Sequence, residues 1–301
     1  MTSTEYTLSF IISTKNRLPF LKILFNNLLP ILKPEEEIVV VDGNSTDGSA
    51  EYLQDLFLSK KIHQFVSEPD NNQAHAWNKA LLMAKGTIIK KLIDDDVHNI
   101  EAIRLCRDFM LQNTDVDICI SNTLDSNLAN PSETGLTSRL SYFQQWKNGT
   151  TKTFTFSDVS MLQRRSSLSF LGLYDTQFKM LDWEYSLRVS YLKASIAYYT
   201  GYNSLSVSTP GNVTSTATKT LLKYEESVGK LKYEYPGDEA DISFYSKIKV
   251  KLGETYYNVK NKKTRSAILK FPAETKLREI YSAYYRKLED QNKSGNWEFI
   301  Y

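Results

Sequence analysis

The stretch Lys90-Lys91-Leu92-Ile93-Asp94-Asp95-Asp96-Val97 runs from an apolar segment straight into three adjacent carboxylates. Residues 87–93 are predicted to form a buried β-strand, so the charges stand at its carboxyl end. Adjacent like charges repel one another, and the fold gains nothing from them alone. In an extended backbone Asp94 and Asp96 point to one side and Asp95 to the other. We therefore expect Asp94 and Asp96 to act on one ligand.

A divalent cation is the ligand that this stretch suggests first. Mg²⁺ and Mn²⁺ prefer oxygen ligands, relieve repulsion between carboxylates and leave coordination positions free for phosphate oxygens. On this hypothesis Asp96 is the residue nearest the metal. The alternative for a bare run of three aspartates is a solvated acidic turn, and the rest of the chain has to decide between the two.

The first hundred residues alternate between apolar strands and helical spacing. Strands are predicted over residues 7–12, 38–41, 63–66 and 87–93, with a helix between each pair. This series is typical of an α/β fold with a parallel sheet of buried strands. Each strand is followed by a polar loop, at residues 13–17, 42–48, 68–75 and 94–98. Ligands of such sheets bind beyond the carboxyl ends of the strands, so we expect these loops to meet at one rim.

The remainder of the chain gives weaker signals. A helix over 99–110 and strands over 116–120, 154–162 and 196–199 are expected, together with a helix that opens at Asp182. Residues 121–150 are polar without a clear period, which predicts a long loop that is functional or mobile. After about residue 216 the pattern favours long helices rich in Lys and Tyr. We therefore predict one domain over 1–215 and a helical C-terminal extension over 216–301.

Composition narrows the class of protein and its location. Of the 301 residues 41% are hydrophobic and 24% are charged, which is typical of a soluble protein, and the net charge of +2 implies no general attraction to nucleic acid. No apolar run is long enough for a transmembrane helix, and the first residues lack the basic start of a signal peptide. Cys106 and Cys119 lie in apolar patterns, as expected for reduced core cysteines, so we expect a cytoplasmic protein.

A basic segment in the C-terminal part is the exception to this balance. Residues 247–287 contain twelve Lys and Arg against three Asp and Glu. Such a segment favours peripheral contact with anionic lipid on the inner face of a membrane. A helical surface for homodimerisation and a set of solvated helix faces are the alternatives.

Several further polar residues are candidates for chemistry, each with a structural alternative. Asp42 follows a Val-Val-Val strand and could accept hydrogen bonds from a base or ribose, although Asp-Gly is also a common turn. Thr14 and Arg17 could face the same nucleotide, or Arg17 could be a surface charge. Asp182 precedes a helix, where it could be an N-cap or a general base that deprotonates an attacking hydroxyl group.

The segment before the aspartates contains three more candidates. Asp70 could bind hydroxyl groups of a nucleotide or a sugar, or it could be an Asx-turn residue. Asn78 and Lys79 could brace the three aspartates or bind phosphates, whereas Lys79 could equally be a solvated helix position. Trp77, between them, is expected in the core.

The order of these motifs resembles the family-2 inverting glycosyltransferases, which share the GT-A fold. The resemblance covers roughly residues 7–215 and rests on five segments in the right order: Ser13-Thr14-Lys15-Asn16-Arg17, Val41-Asp42-Gly43-Asn44-Ser45-Thr46-Asp47-Gly48-Ser49, residues 68–86, Asp94-Asp95-Asp96 at the place of the D-x-D motif, and Leu181-Asp182-Trp183-Glu184 with Arg188. Two departures stand out. Leu181 replaces the acidic residue that usually precedes the base, and residues 208–212 lack the His that many members carry there.

The resemblance implies a GT-A fold, with a mixed, mainly parallel central sheet flanked by helices, and an enzyme. It would move a sugar from a UDP- or GDP-sugar to a hydroxyl group of a glycan or lipid-linked acceptor, with Mn²⁺ or Mg²⁺ as cofactor, in cell-surface polysaccharide synthesis. Asp96 would bind the metal and Asp182 would be the catalytic base. Residues expected at the nucleotide-sugar site are Thr14, Asn16, Arg17, Asp42, Asn44, Asp70, Asn78, Lys79, Asp94 and Asp95.

Two other classes of function stay open at this point. A nucleotidyltransferase also uses paired carboxylates and a metal, but the glycine-rich phosphate loop with a basic residue is missing near the N-terminus. A non-catalytic module that binds sugar nucleotides would need Asp42 and Asp96 but no working base. Neither the sugar, the acceptor nor the linkage can be predicted from the sequence.

Overall fold

A computed structural model describes residues 6–210, 218–235 and 271–301. In these residues ten strands form one sheet: β1 Leu8–Thr14, β2 Glu36–Asp42, β3 Gln64–Ser67, β4 Ile88–Lys91, β5 Val97–His98, β6 Ile118–Asn127, β7 Asn130–Thr137, β8 Leu162–Arg164, β9 Ile196–Ser208 and β10 Phe299–Ile300. The helices are α1 Leu18–Leu28, α2 Ser49–Leu58, α3 Gln73–Met83, α4 Ile100–Gln112, α5 Leu140–Lys147, α6 Leu168–Leu171 and α7 Leu181–Tyr191, then Lys219–Tyr233 and the C-terminal helix Glu274–Lys293.

The sheet is mixed and mainly parallel, as the sequence predicted. Its order is β10-β9-β6-β8-β4-β1-β2-β3, with β5 paired to β9 and β7 paired to β6. Strands β1 to β4 are parallel, β6 runs parallel to β9, and β8 lies antiparallel between β4 and β6. The carboxyl ends of β1, β2 and β4 therefore meet at one rim, where their loops can share a ligand.

Strand alternation explains why the sheet carries a core on each face. Ile11 and Val39 point to one face and pack with Trp77 of α3, whereas Phe10 and Val40 point to the other face and pack with α1, α2 and α4. Three of the described helices begin at side-chain caps: Asn72 accepts from the backbone of His75, Asn99 from that of Ala102, and Thr218 from that of Leu221.

Several sequence predictions about the second half were wrong. Residues 121–150 contain the end of β6, the hairpin partner β7 and helix α5, so they are not an irregular loop. The strand expected over 154–162 is only β8, because residues 154–157 are irregular and 158–160 form a 3₁₀ turn. Polar β7 sits at the exposed edge of the sheet, where alternation with apolar residues is not required.

The C-terminal part shares a core with the rest of the fold. The helix Glu274–Lys293 buries Leu277, Tyr281, Tyr284 and Leu288 against α1, β5 and β9, and β10 extends the sheet beside β9. The predicted boundary at 215–216 lies outside the described residues. No helix in the described ranges combines the length and the apolar character needed to cross a bilayer.

Candidate active site

A cavity of about 930 Å³ opens at the rim formed by the carboxyl ends of β1 and β4. Its walls come from the loop after β1, the loop after β4, the 3₁₀ turn at 158–160, the start of α7 and the end of β9. Predicted site residues that line this cavity are Thr14, Asn16, Arg17, Asp70, Asp94, Asp95, Asp96 and Asp182. The three aspartates and Asp182, about ninety positions apart in sequence, thus face one space.

The three aspartates, called here the Asp triplet (Asp94–Asp96), form a turn and not an extended strand. Strand β4 ends at Lys91, and the backbone N–H of Asp96 donates to the carbonyl of Ile93 at 3.2 Å. The expected alternation of Asp94 and Asp96 on one side of a strand is therefore wrong. Each carboxylate has its own partner: Thr14 Oγ1 donates to Asp94 at 2.6 Å, and the backbone of Val207 donates to Asp96 at 2.7 Å.

Burial makes the negative charge of the Asp triplet unfavourable, and Arg17 offsets only part of this effect at Asp94. Burial, together with the charge of Asp95, raises the pKa of Asp94 to about 7. The same two causes raise the pKa of Asp96 well above its ordinary value. A bound cation would favour the charged forms of both carboxylates and reverse these shifts.

Arg17 is the cation that the described residues place against the Asp triplet. Its Nη1 lies 3.3 Å from Asp95 Oδ2 and 3.3 Å from Thr209 Oγ1. Thr209 in turn donates to Asp95. The guanidinium also lies over the rings of Phe20 and Phe271, at 5.4 and 5.7 Å from their centroids.

Asp182 lies in the first turn of α7 and lines the same cavity as the Asp triplet. The N-cap of this helix is Met180, so the capping role considered for Asp182 is wrong. Among the described residues, the backbone N–H of Trp183 donates a local hydrogen bond to the Asp182 carboxylate at 2.9 Å. Burial first, and the charge of Asp158 second, raise the pKa of Asp182 to about 6, whereas Lys91 opposes the shift. A half-buried carboxylate with a raised pKa is suited to accept a proton near neutral pH.

The segment that delivers Asp182 is fixed from both sides. Glu225, on the helix Lys219–Tyr233, accepts from the backbone of Lys179 and of Met180 at 2.8 Å each. Arg188 pairs with Glu184 at 2.9 Å and donates to the carbonyls of Leu171 and Leu173. These contacts hold the entry to α7 and so orient Asp182, although Glu225 and Arg188 do not themselves line the cavity.

A buried ion pair between Lys91 and Asp158 was missed at the sequence level. Lys91 Nζ contacts the Asp158 carboxylate and lies 4.4 Å from the ring centroid of Trp77. Tyr174 donates to the same carboxylate at 3.0 Å. Both charged residues line the cavity, at the end where Asp182 stands. The one signal available was a pair of lysines inside an apolar strand, because buried ammonium groups need a partner.

Four predicted residues do not line the cavity. Asp42 is fully buried, and its carboxylate accepts from Ser45 and Ser67, so it organises the loop after β2. Asn44 is exposed at a positive φ of 62°. Asn78 pairs with the backbone of Tyr174, and Lys79 pairs with Glu68 at 2.6 Å. A direct contact of any of these four with a nucleotide stays a prediction.

Two of the predicted residues that line the cavity, Asn16 and Asp70, also join the loops of the rim. Asn16 has a positive φ of 54°, a region that Asn tolerates, and its amide oxygen accepts from the backbone of Thr46 at 2.8 Å. Asp70 packs so closely against Gly43 that a side chain at that glycine would collide with it. The loops after β1, β2 and β3 are thus braced against one another beside the cavity.

Comparison with known proteins decides the family. The family model described as glycosyl transferase family 2 matches residues 9–172, more than half of the chain. The chain belongs to glycosyl transferase family 2. The suspected membership is confirmed, and the match ends before Asp182, so the assignment of the base depends on the geometry given above.

Individual relatives of this family 2 chain are distant. A Bacillus subtilis (strain 168) protein, provisionally named teichuronic acid biosynthesis glycosyltransferase TuaG, is 28% identical over 113 residues, which are 37% of this chain and 45% of TuaG. The chain thus matches less than half the length of that relative. S. aureus TarS 1-349 in complex with UDP-GlcNAc superposes with a TM-score of 0.57 at 16% identity, over 96% of this chain and 92% of TarS 1-349.

A third structure supports the same fold. The mannosyltransferase PcManGT from Pyrobaculum calidifontis, in complex with GDP-Man and Mn²⁺, gives a TM-score of 0.54 at 14% identity, over 96% of this chain and 76% of PcManGT. At these identities the likeness shows the fold alone. The predicted GT-A fold is confirmed.

The carboxylate oxygens of the family 2 site are suitable ligands for a divalent cation. These carboxylates are buried and short of positive charge, and they are the hard oxygen ligands that Mg²⁺ and Mn²⁺ prefer. Within the described ranges no three His, Cys, Asp or Glu side chains are grouped so that they could hold one ion. An ion would therefore take its remaining ligands from bound phosphates and water, as Mg²⁺ commonly does.

Proposed function

We propose that this chain is a metal-dependent, inverting glycosyltransferase. It moves a sugar from a UDP- or GDP-sugar to a hydroxyl group of a glycan or lipid-linked acceptor, in the synthesis of a cell-surface polysaccharide. The observation that carries the proposal is the single cavity that joins the Asp triplet to Asp182. The reaction needs a binding site for a diphosphate and a general base for the acceptor hydroxyl group. The Asp triplet would provide the first and Asp182 the second.

The diphosphate end of the cavity combines carboxylates with one arginine. Asp96, with Asp94 and Asp95 beside it, would hold Mn²⁺ or Mg²⁺, and Arg17 is placed to pair with a phosphate oxygen. Thr14, Asn16 and Asp70 line the adjoining wall, where the nucleoside and the donor sugar would lie. When bound, the cation would neutralise charge on the departing nucleoside diphosphate.

In the same cavity Asp182 would act as the general base. It takes the proton of the acceptor hydroxyl as that oxygen forms a bond to the anomeric carbon of the donor. The bond from this carbon to the phosphate oxygen breaks on the opposite face, so the configuration inverts. A pKa of about 6 leaves Asp182 ionised at neutral pH and still basic enough to receive the proton.

The relatives support the substrate class without fixing it. TarS was crystallised with UDP-GlcNAc and PcManGT with GDP-Man, and the name of TuaG refers to teichuronic acid synthesis. A nucleotide-sugar donor and a cell-surface polysaccharide are the features that these proteins suggest for this chain. Experiment has to identify the nucleobase, the donor sugar and the acceptor.

A thermal-shift panel tests the proposal most directly. UDP, GDP, UDP-GlcNAc and GDP-mannose are added with and without MnCl₂, because a ligand that binds only the folded state raises the melting temperature. We expect the nucleotides of one nucleobase, uracil or guanine, to raise the melting temperature, and to raise it more when Mn²⁺ is present. No shift with any of the four, in either condition, would contradict the proposal.

We also propose that the basic segment, residues 247–287, contacts an anionic membrane surface. Residues 247–270 of that segment lie outside the described ranges. In the C-terminal helix Lys276, Arg278, Arg286 and Lys287 are exposed, while the opposite face is buried. Charge reversal at Lys276, Arg286 and Lys287 should weaken sedimentation with vesicles that contain phosphatidylserine. Unchanged sedimentation would refute this contact.

A further inference from the structure

The Asp triplet is supported from behind by a residue 186 positions away in sequence. Tyr281, on the C-terminal helix Glu274–Lys293, donates its hydroxyl hydrogen to the backbone carbonyl of Asp95 at 2.5 Å. The tyrosine is 1% exposed. Within the described ranges the backbone N–H of Asp96, which donates to the Ile93 carbonyl, and that of Val207, which donates to the Asp96 carboxylate, also hold this turn.

The hydroxyl of Tyr281 is held in place by the packing of its helix. Leu277, Tyr281, Tyr284 and Leu288 follow the spacing of one helical face, and each is at most 1% exposed. They pack with Phe20 of α1 and with side chains of β5 and β9. A side chain packed on all sides keeps one rotamer, so its hydroxyl group holds a fixed position.

Tyr281 also remains protonated, as a hydrogen-bond donor must. Burial first, and then the charges of Asp95, Asp96 and Asp94, raise the pKa of its hydroxyl well above the ordinary value.

Fixing one carbonyl fixes the direction of the neighbouring side chains. The Asp95 carbonyl belongs to the peptide plane between Asp95 and Asp96, and an uncompensated change of ψ at Asp95 or of φ at Asp96 would move this carbonyl and redirect the side chains on either side of it. Repulsion between adjacent carboxylates favours such a rotation when no cation is bound. Tyr281 opposes the rotation, because the carbonyl would lose its partner inside the protein.

We propose that Tyr281 is a positioning residue for nucleotide-sugar binding, which holds the Asp triplet in the orientation that receives the cation and the diphosphate. This inference rests on the proposed function. The segment that leads into the same helix supports it, because Phe271 lines the cavity and packs on Phe20 at 4.9 Å beneath Arg17. The C-terminal part thus contributes to the donor site directly.

The test compares Tyr281→Phe with the matched variant Tyr284→Phe. Tyr284 lies on the same buried face, and its hydroxyl accepts from Ser126 Oγ at 3.1 Å and donates to the Asn127 carbonyl at 3.4 Å, away from the cavity. Each variant loses one buried hydroxyl group, so the melting temperatures of both variants should fall by similar amounts. Calorimetric titration with UDP and with GDP, each in MnCl₂, then measures donor-site affinity, and steady-state kinetics with the preferred sugar nucleotide separate KM from kcat.

We expect Tyr281→Phe to weaken nucleotide binding and raise the donor KM by about threefold to tenfold, the effect of one hydrogen bond, with kcat nearly unchanged. Tyr284→Phe should bind like the wild type. Equal affinity in both variants, with the wild type binding normally, would overturn this inference alone. Absence of binding by the wild type would overturn the proposed function, and this inference with it.

Discussion

At the scale of single residues, the chemistry of the cavity depends on how its carboxylates are compensated. Asp182 has Asp158 as a neighbouring negative charge and Lys91 as a neighbouring positive charge, and the two act on its pKa in opposite directions. Lys91 and Asp158 are themselves paired and buried. Whichever member is removed, the remaining charge acts on Asp182 without its counterpart.

Replacement of Lys91 by Met should move the acidic limb of the pH profile of kcat/KM to higher pH. The ammonium favours the charged form of Asp182, so its loss raises a pKa that is already about 6. Asp158→Asn is the opposing control, because removal of a nearby negative charge lowers the same pKa. Limbs that stay at the wild-type pH in both variants would contradict the assignment of the base.

Replacement of Asp182 by Asn should separate binding from turnover. The amide keeps the shape of the carboxylate and can still accept from Trp183, so nucleotide affinity should stay close to that of the wild type. Without a base, turnover should fall about 10²-fold or more. Asp175→Asn is a suitable control, since Asp175 precedes α7 but does not line the cavity. Near-normal turnover of Asp182→Asn would remove it from the mechanism.

At the scale of secondary structure, two C-terminal helices support the two ends of the cavity. The helix Lys219–Tyr233 holds the entry to α7 through Glu225, and the helix Glu274–Lys293 holds the Asp triplet through Tyr281. Neither helix follows from the strand-and-loop pattern of the first two hundred residues. The C-terminal helix belongs to the core of the fold, and its removal would expose a large apolar face.

Replacement of Leu277 by Ala should therefore destabilise the whole domain. Leu277 is fully buried between the C-terminal helix and its neighbours, and its truncation leaves a cavity that costs about 3 kcal/mol. Urea unfolding measures the loss as a lower midpoint. Leu231→Ala, at a residue 53% exposed on the other helix, should change the midpoint little. A similar result for the two variants would show that the C-terminal helix is not part of the core.

At the scale of the whole molecule, the charge gathered at the rim links stability to metal and pH. A carboxyl whose pKa is raised on folding favours the folded state at low pH, and this contribution is lost as pH rises through the raised value, about 7 for Asp94. A cation on the ionised carboxylates restores stability at the pH where they repel most. Stabilisation by metal should thus grow as protons leave.

The rise in melting temperature caused by MnCl₂ should be larger at about pH 8 than at about pH 6, because only ionised carboxylates hold the ion. Comparison with and without metal at each pH cancels the titration of other groups, such as the buried His98. Asp96→Asn should lose most of the shift at both pH values, and with it metal-dependent turnover. A shift that is equal at both pH values, or that survives in Asp96→Asn, would argue against the Asp triplet as the metal site.

Local pattern was sufficient to predict the first half of the fold. Buried strands such as β2 appear as continuous apolar runs, and polar loops follow them, so the sheet, its functional rim and the family could be predicted before the structure. The edge hairpin of β6 and β7 could not, because a polar edge strand leaves no apolar period. The extended geometry predicted for Asp94 and Asp96 was wrong for another reason. A run of aspartates is compatible with a strand end and with a turn, and the local pattern did not decide between the two.

The sequence by itself determined the alternation of strands and helices in the first half, the family, and the polar loops that follow the strands, since each of these appears in local patterns and motifs. Only the tertiary structure decided which side chains share the cavity. Lys91 meets Asp158 across 67 positions and Tyr281 meets Asp95 across 186. Contacts over such separations arise from the packing of helices on the sheet, and packing depends on all neighbours at once, so no local pattern encodes them.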